Sequence, residues 1–454
     1  MHAPVSHPAT AGLTWFAIIR IGLVQACIGA LVMMASTVLN RLMVVEYGLL
    51  AAIPAGLVSW HYVIQLGRPL WGHGSDHGSS RTPWIIGGMV VLAAGVLMAT
   101  QATLMMALPG FWVFAFAILA YTIIGVGVGA AGTAALALLA SSVAPDRRAA
   151  AAAVAWIMMI AGIVASAFTV GALSDPFTPQ ALSTVATGLA GVTIALTVLV
   201  TFRLERGKPV FEQTAKSEEA PDFKAAIAEI FAETAARRFT IFIFVSMMAY
   251  NMQDLILEPF AGQIFGMAPG ATTQLGGMLN AGGLIGMIVA GSGGSAVQAR
   301  MPVDLRVWIV SGCLGSALGL AGLTMAALVG PGWPLTANVL FLGFCNGVFA
   351  VAAIGAMMGL AGAGEKTREG IRMGVWGASQ AIAFGFAGLL GAAGRDIALA
   401  LLGDLSAAYQ IVFAAEGLLF VAAALLAFGI SSKTTTPAST ARQIAPSNDQ
   451  ESFA

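Results

Sequence analysis

The chain has 454 residues, of which 58% are hydrophobic and only 9% charged, and its formal net charge is zero. A soluble domain carries roughly 25% charged residues, so a water-exposed globule is excluded and a protein that crosses the bilayer many times is implied. The charge balance offers no electrostatic footprint for nucleic acid. Cys27, Cys313 and Cys345 lie in apolar stretches without CxxC or Cys/His spacing; they read as packing residues, neither a disulfide framework nor a metal site.

The opening "MHAPVSHPATAGLTWFAIIR" lacks a basic region before an apolar core, so residues 1–19 read as a cytoplasmic N-terminus and not as a secretory signal. Six apolar stretches follow, near 20–46, 50–71, 84–107, 111–140, 150–173 and 182–202. They form a first six-helix half over 20–202. The segment 203–237 is dense in charge and contains Pro209 and Pro221. Within it Phe223, Ile227, Ile230 and Phe231 recur at helical spacing behind Asp222, which predicts a short amphipathic helix on a cytoplasmic linker. Six more apolar stretches, near 239–265, 273–298, 304–329, 335–361, 371–393 and 406–430, form a second half over 238–430. The tail 431–454 is rich in Ser, Thr, Pro and Gln and reads as a disordered cytoplasmic end. With the N-terminus inside, every one of the 21 basic residues except Arg41 and Arg395 falls on the cytoplasmic side. The positive-inside rule thus supports twelve crossings.

The halves resemble each other. "PDRRAAAAAVAW" and "EKTREGIRMGVW" each open a small-residue helix, and "NRLMVVEYG" aligns without gaps on "MQDLILEPFAG", which puts Arg41 on Gln253 and Glu46 on Glu258. Two similar six-helix halves are the layout of major facilitator transporters, whose sites lie between the halves. The loop "GHGSDHGSSR" carries Gly72, Asp76 and Arg81 at the spacing of that superfamily's cytoplasmic signature, although His77 and Gly78 depart from it.

The polar residues of the spans are the candidates for function, and each has a plainer reading. Asp254 and Glu258, at i and i+4, would share a helix face near the outer end of the seventh crossing. They read as a gate, a proton site or a contact for a pigment head; alternatively they lock helices together, with Arg41 as partner. Pro259 predicts a break or kink there. Glu416 is an isolated ionisable group in "YQIVFAAEGLLF". His61, with Gln65 one turn on, is a candidate ligand to a chlorophyll magnesium, or else a His that bonds a neighbouring helix. Trp60 and Trp156 are candidates for lining a cavity. "GVGVGAAG" has no strand–helix context and is a packing element, not a nucleotide loop.

The strings "GLVQACIGALVMMASTVLNRLMVVE", "HYVIQLGRPLWGHGSDHGSSRTPWIIGGM" and "AYNMQDLILEPFAGQIFGM" together resemble the bacteriochlorophyll delivery family, the PucC-like and LhaA-like proteins of photosynthetic bacteria. This is a branch of the major facilitator superfamily, and the resemblance runs from about Arg20 to Ile430. It implies an all-α integral membrane protein of the major facilitator fold, in two pseudo-symmetric six-helix halves, in the bacterial inner (intracytoplasmic) membrane. It implies an assembly factor without enzymatic activity, with bacteriochlorophyll as cargo and light-harvesting antenna polypeptides as partners, and with no nucleotide or structural metal. The alternative is a secondary transporter of a tetrapyrrole or another small amphipathic molecule, coupled to protons. A lipid-facing groove would favour delivery; a closed central cavity with an ionisable pair would favour transport.

Overall fold

The computed structural model describes residues 13–68, 71, 80–108, 110–144, 147–205, 234–298, 305–362 and 369–428. The predicted linker helix, the tail, and Gly72 and Asp76 of the loop signature lie outside them. All regular structure among the described residues is helical. The first half comprises α1 (Trp15–Met33), α2 (Leu39–Val45), α3 (Ala52–Ile64), α4 (Thr82–Met105), α5 (Phe111–Ser142), α6 (Arg148–Leu173) and α7 (Pro179–Thr201). The second comprises α8 (Thr234–Met252), α9 (Leu257–Phe265), α10 (Pro269–Gln298), α11 (Leu305–Val329), α12 (Leu335–Gly362), α13 (Glu369–Leu402) and α14 (Leu405–Phe428). The bundle end where α1 begins is called the near end below, and the opposite one the far end.

Ten helices among the described residues are long and apolar enough to cross a membrane, and the bent pair α8–α9 makes an eleventh. The place of the expected second crossing is held by α3, 13 residues extended by the 3-10 turn Gln65–Gly67, which is short of that length criterion. Span ends were set by features hydropathy does not see. α1 starts at Trp15, ahead of the expected residue 20, because the Thr14 hydroxyl caps it by accepting from the Ala17 N–H at 3.3 Å. α13 continues to Leu402, beyond the expected 393, because Arg395 and Asp396 pair with each other at 2.7 Å instead of ending the helix.

Packing repeats with an offset of six crossings. α4 packs on α5 as α11 packs on α12; α1 on α6 as α8 on α13; α4 on α7 as α11 on α14. The halves meet through α6 with α10 and α3 with α13. Small residues let these backbones close: a Cβ on Gly171 of α6 would stand 2.7 Å from the Gly270 carbonyl of α10. Asn338 donates to the Gly319 carbonyl (2.8 Å) and Asn346 accepts from Ser316 (2.7 Å), so both tie helices within the second half.

Candidate functional site

The first crossing of each half carries an irregular turn. Between α1 and α2 the chain makes a π turn, Met34–Val38; between α8 and α9 it makes a 3-10 turn, Gln253–Leu255, with a bend of 42°. The two turns are out of register in the repeat, which sets Gln253 on Arg41, beyond the π turn; the first crossing runs on as one span from Trp15 to Val45, and only the seventh is bent. Pro259 sits in the first turn of α9, where its missing N–H costs nothing. The break therefore precedes the proline, and Asp254 and Glu258 belong to different segments and not to one helix face.

Groups freed by the breaks are bonded across the halves. Asn40 donates to the Leu255 carbonyl at 2.7 Å, and Arg41 Nη2 donates to the Met267 carbonyl at 2.9 Å. Arg41 Nη1 reaches Glu46 at 2.5 Å. The anticipated partner of Arg41, Asp254, is thus replaced by its own-half Glu46 and a backbone carbonyl of the other half. A Cβ on Gly262 would lie 3.2 Å from Arg41 Nη2, so glycine makes room for the guanidinium.

Further bonds close the same far end. Asp175 accepts from the Gly270 N–H at 3.2 Å, and Asp396 accepts from the Ala52 N–H at 2.8 Å at the start of α3. Arg395 and Tyr409 both donate to Gln263 Oε1 at 2.7 Å. Sequence reasoning did not single out this network; its trace was the charged pair Arg395-Asp396 inside the apolar "GAAGRDIALALL". The four hydrogen bonds between the halves found among the described residues, from Asn40, Arg41, Ala52 and Gly270, all lie toward the far end.

Beneath this seal lies a central cavity of about 130 Å³. Its wall takes Ser36 and Thr37 from the π turn, Ser59 and Tyr62 from α3, Asn251, Asp254 and Glu258 from the broken crossing, and Asn280 from α10. Glu258 is 1% exposed, with Thr273 and the Arg41 guanidinium as its polar neighbours, and the fully buried Glu416 faces the Gln253 backbone. Keeping an ionised carboxylate enclosed costs several kcal/mol, so apolar packing alone does not explain these positions.

A larger space of about 600 Å³ is lined by Gln25 and Ile28 of α1, by α5 between Val128 and Ala140, by Trp156 and Met159 of α6, and by Arg68. Gln25 and Ile28 stand at helical spacing from Val32 and Ser36, and Trp156 and Met159 from Ile163, all of which line the central cavity. This vestibule therefore lies in the first half, on helix faces that border the central cavity farther along. A third space, about 830 Å³, is a groove on the flank of the first half between α1, α6 and α7, where Leu173 and Val192 are exposed.

Of the remaining candidates, His61 is buried, its Nδ1 stands against the Val58 carbonyl of its own helix, and its Nε2 has no partner. It lines none of the three spaces. Gln65 is buried and accepts from Arg68 at 2.5 Å. Trp60 donates to Thr122 of α5 at 2.9 Å. Trp156, 41% exposed, lines the vestibule. Arg81 of the loop signature caps α5 through the Ala137 carbonyl (2.6 Å) and Ser141 (2.5 Å). Glu205, which the sequence did not flag, accepts from the Arg81 and Thr82 N–H groups at 2.9 Å and from the hydroxyls of Ser80 and Thr82. Burial pushes its carboxyl up, but these bonds outweigh burial and hold it below the ordinary carboxylate range.

The family model described as PUCC protein matches residues 38–435. Among relatives, the chain is 46% identical over 420 residues to the "Bacteriochlorophyll synthase 44.5 kDa chain" of Rhodobacter capsulatus, covering 92% of this chain and 96% of that one. It is 29% identical over 437 residues to "Protein PucC" of the same organism, covering 91% of each. Among solved structures, a bacterial homologue of the human lysosomal transporter Spinster, inward-facing and unoccupied, superposes with a TM-score of 0.69 at 14% identity, over 92% of this chain and 98% of that one. At that identity the likeness shows the fold, that of major facilitator transporters.

Proposed function

This chain belongs to the PUCC family of membrane proteins, and from that premise we propose that it carries bacteriochlorophyll within the membrane and hands it to the antenna polypeptides of light-harvesting complexes. One observation carries the reading: spaces of ligand size lie off the centre of the bundle. Sites for drug-sized ligands measure about 300–1,000 Å³. The flank groove (about 830 Å³) and the vestibule (about 600 Å³) are in that range, and the central cavity (about 130 Å³) is well below it. A groove open to lipid lets a flat lipophilic pigment enter and leave sideways without crossing water. Alternating access of a tetrapyrrole through the centre draws no support from a cavity of that size.

The reading is of a carrier and not a catalyst; "synthase" in a relative's name describes that relative. The chain then sits in the bacterial inner membrane with both termini cytoplasmic, as the distribution of basic residues favours. The test is an absorption spectrum of the protein purified in mild detergent, with gel analysis for small co-purifying polypeptides. Bound tetrapyrrole absorbance is expected. A colourless protein without such partners overturns the proposal.

A further inference from the structure

The vestibule holds polar groups that its surroundings leave without partners. Gln25 is 6% exposed, lines the space from α1, and makes no side-chain hydrogen bond among the described residues. The Thr133 hydroxyl, buried in the α5 wall, has none either. Arg68, which is exposed, spends one donor on Gln65 and has no acidic partner among the described residues. A guanidinium offers five donors, so most of this fork is uncommitted. The contrast lies within the molecule: Arg41 is matched by Glu46 and Arg395 by Asp396. The half-exposed indole of Trp156 lines the same space.

A cation at the exposed mouth of a cavity can take an anion, and a fork-shaped one favours a carboxylate. A buried amide and a hydroxyl beside it call for further polar atoms, which acyl chains cannot supply. An indole face calls for a flat apolar body. We infer that the vestibule binds a planar tetrapyrrole in its free-acid form, with the carboxylate on Arg68, the ring against Trp156, and Gln25 and Thr133 facing polar groups of the macrocycle. Gln25 also presents an amide oxygen, a hard donor suited to a ring magnesium. An esterified pigment brings no anion for Arg68 and a long chain in addition; the open flank groove suits it better. The inference rests on the pigment reading and divides it between two spaces, one for the free acid and one for the ester.

The test is equilibrium binding to the full-length protein in nanodiscs of zwitterionic lipid. The probes are a magnesium chlorin with a free carboxylate, the same chlorin esterified with a long alcohol, and an anionic phospholipid as competitor. The free acid is expected to bind at least about tenfold more tightly than the ester, the scale of one charge-assisted hydrogen bond. Arg68→Gln should erase that preference, Arg68→Lys should keep most of it, and Gln25→Leu should reduce the preference for magnesium over metal-free chlorin. Trp156→Phe should remove part of the tryptophan quenching by the free acid. Equal affinities for acid and ester on the unaltered protein overturn the inference, even if Arg68→Gln does not fold, and leave the pigment reading standing. Full displacement of the free acid by the anionic phospholipid reassigns the vestibule to lipid. Failure of both chlorins to bind removes the pigment reading itself.

Discussion

The two halves place an acid at the same point of their first crossings, and the outcomes differ. In the first half Glu46 is about one-third exposed and bonds the buried Arg41 at 2.5 Å. In the second half Gln253 stands where the arginine would be; it donates to the Tyr250 carbonyl, and Glu258 is enclosed beside the central cavity without an ion pair of its own, with Thr273 and the first-half Arg41 as polar neighbours. One residue in the repeat, Arg41 against Gln253, separates a closed ion pair from an enclosed carboxyl that has none. The repeat fixes where a group stands, and its neighbours fix what it does. The first-half version serves the far-end seal; the second-half version furnishes the path between the halves.

Substitutions that remove or transplant the pairing break or sharpen this contrast. Asp396→Ala gives the upper mark, because it strands the enclosed Arg395 and uncaps α3; a loss of about 3–5 kcal/mol is expected, read as the largest fall in the thermal unfolding midpoint. Glu46→Ala strands Arg41 in the same way, but Glu46 is 36% exposed, so solvent screening reduces the loss to about 2 kcal/mol. A fall equal to that of Asp396→Ala would show the pair to be as enclosed as its counterpart. Gln253→Arg should build the missing pair and gain about 1 kcal/mol, but only while Glu258 is present. A double-mutant cycle with Glu258→Gln reads the coupling, and additive effects would sink the idea. Glu258→Gln alone breaks no bond, and a change below about 0.5 kcal/mol is expected.

Glu205 supplies the smallest effect, and one that depends on pH. Its folded carboxyl titrates below the ordinary value of 4.5, so its contribution is complete above that value and is lost as pH falls through the lower, folded one. Acid unfolding curves of the protein and of Glu205→Gln should therefore diverge at neutral pH and converge at the acid end. Parallel curves would show that the carboxylate is not what holds the start of α4.

Much of the site was legible before any coordinates. Asp254, Glu258, Arg41 and Trp156 stood out because a charge or a polar aromatic in a crossing is expensive and must face protein or water. What these residues touch was not legible. Arg41 was matched to Asp254 by the repeat, yet the chain offered Glu46 five residues away and an unbonded carbonyl at Met267. The Arg395 network escaped because Gln263, Tyr409 and Ala52 carry no local signal of their own. Gln25 escaped because a single amide in an apolar helix reads as ordinary helix glue; only the empty space in front of it separates the two readings.

The sequence by itself determined the class, the ladder of crossings, the bias of positive charge and the family. These follow from hydropathy, spacing and local strings, which a linear chain carries intact. The tertiary structure alone decided which helix faces meet, that the far end is sealed, that the central cavity is small, and that an arginine with no acid among the described residues lines the vestibule. Those properties join residues up to 344 positions apart, as in the Ala52–Asp396 bond, and they depend on packing that no local pattern encodes.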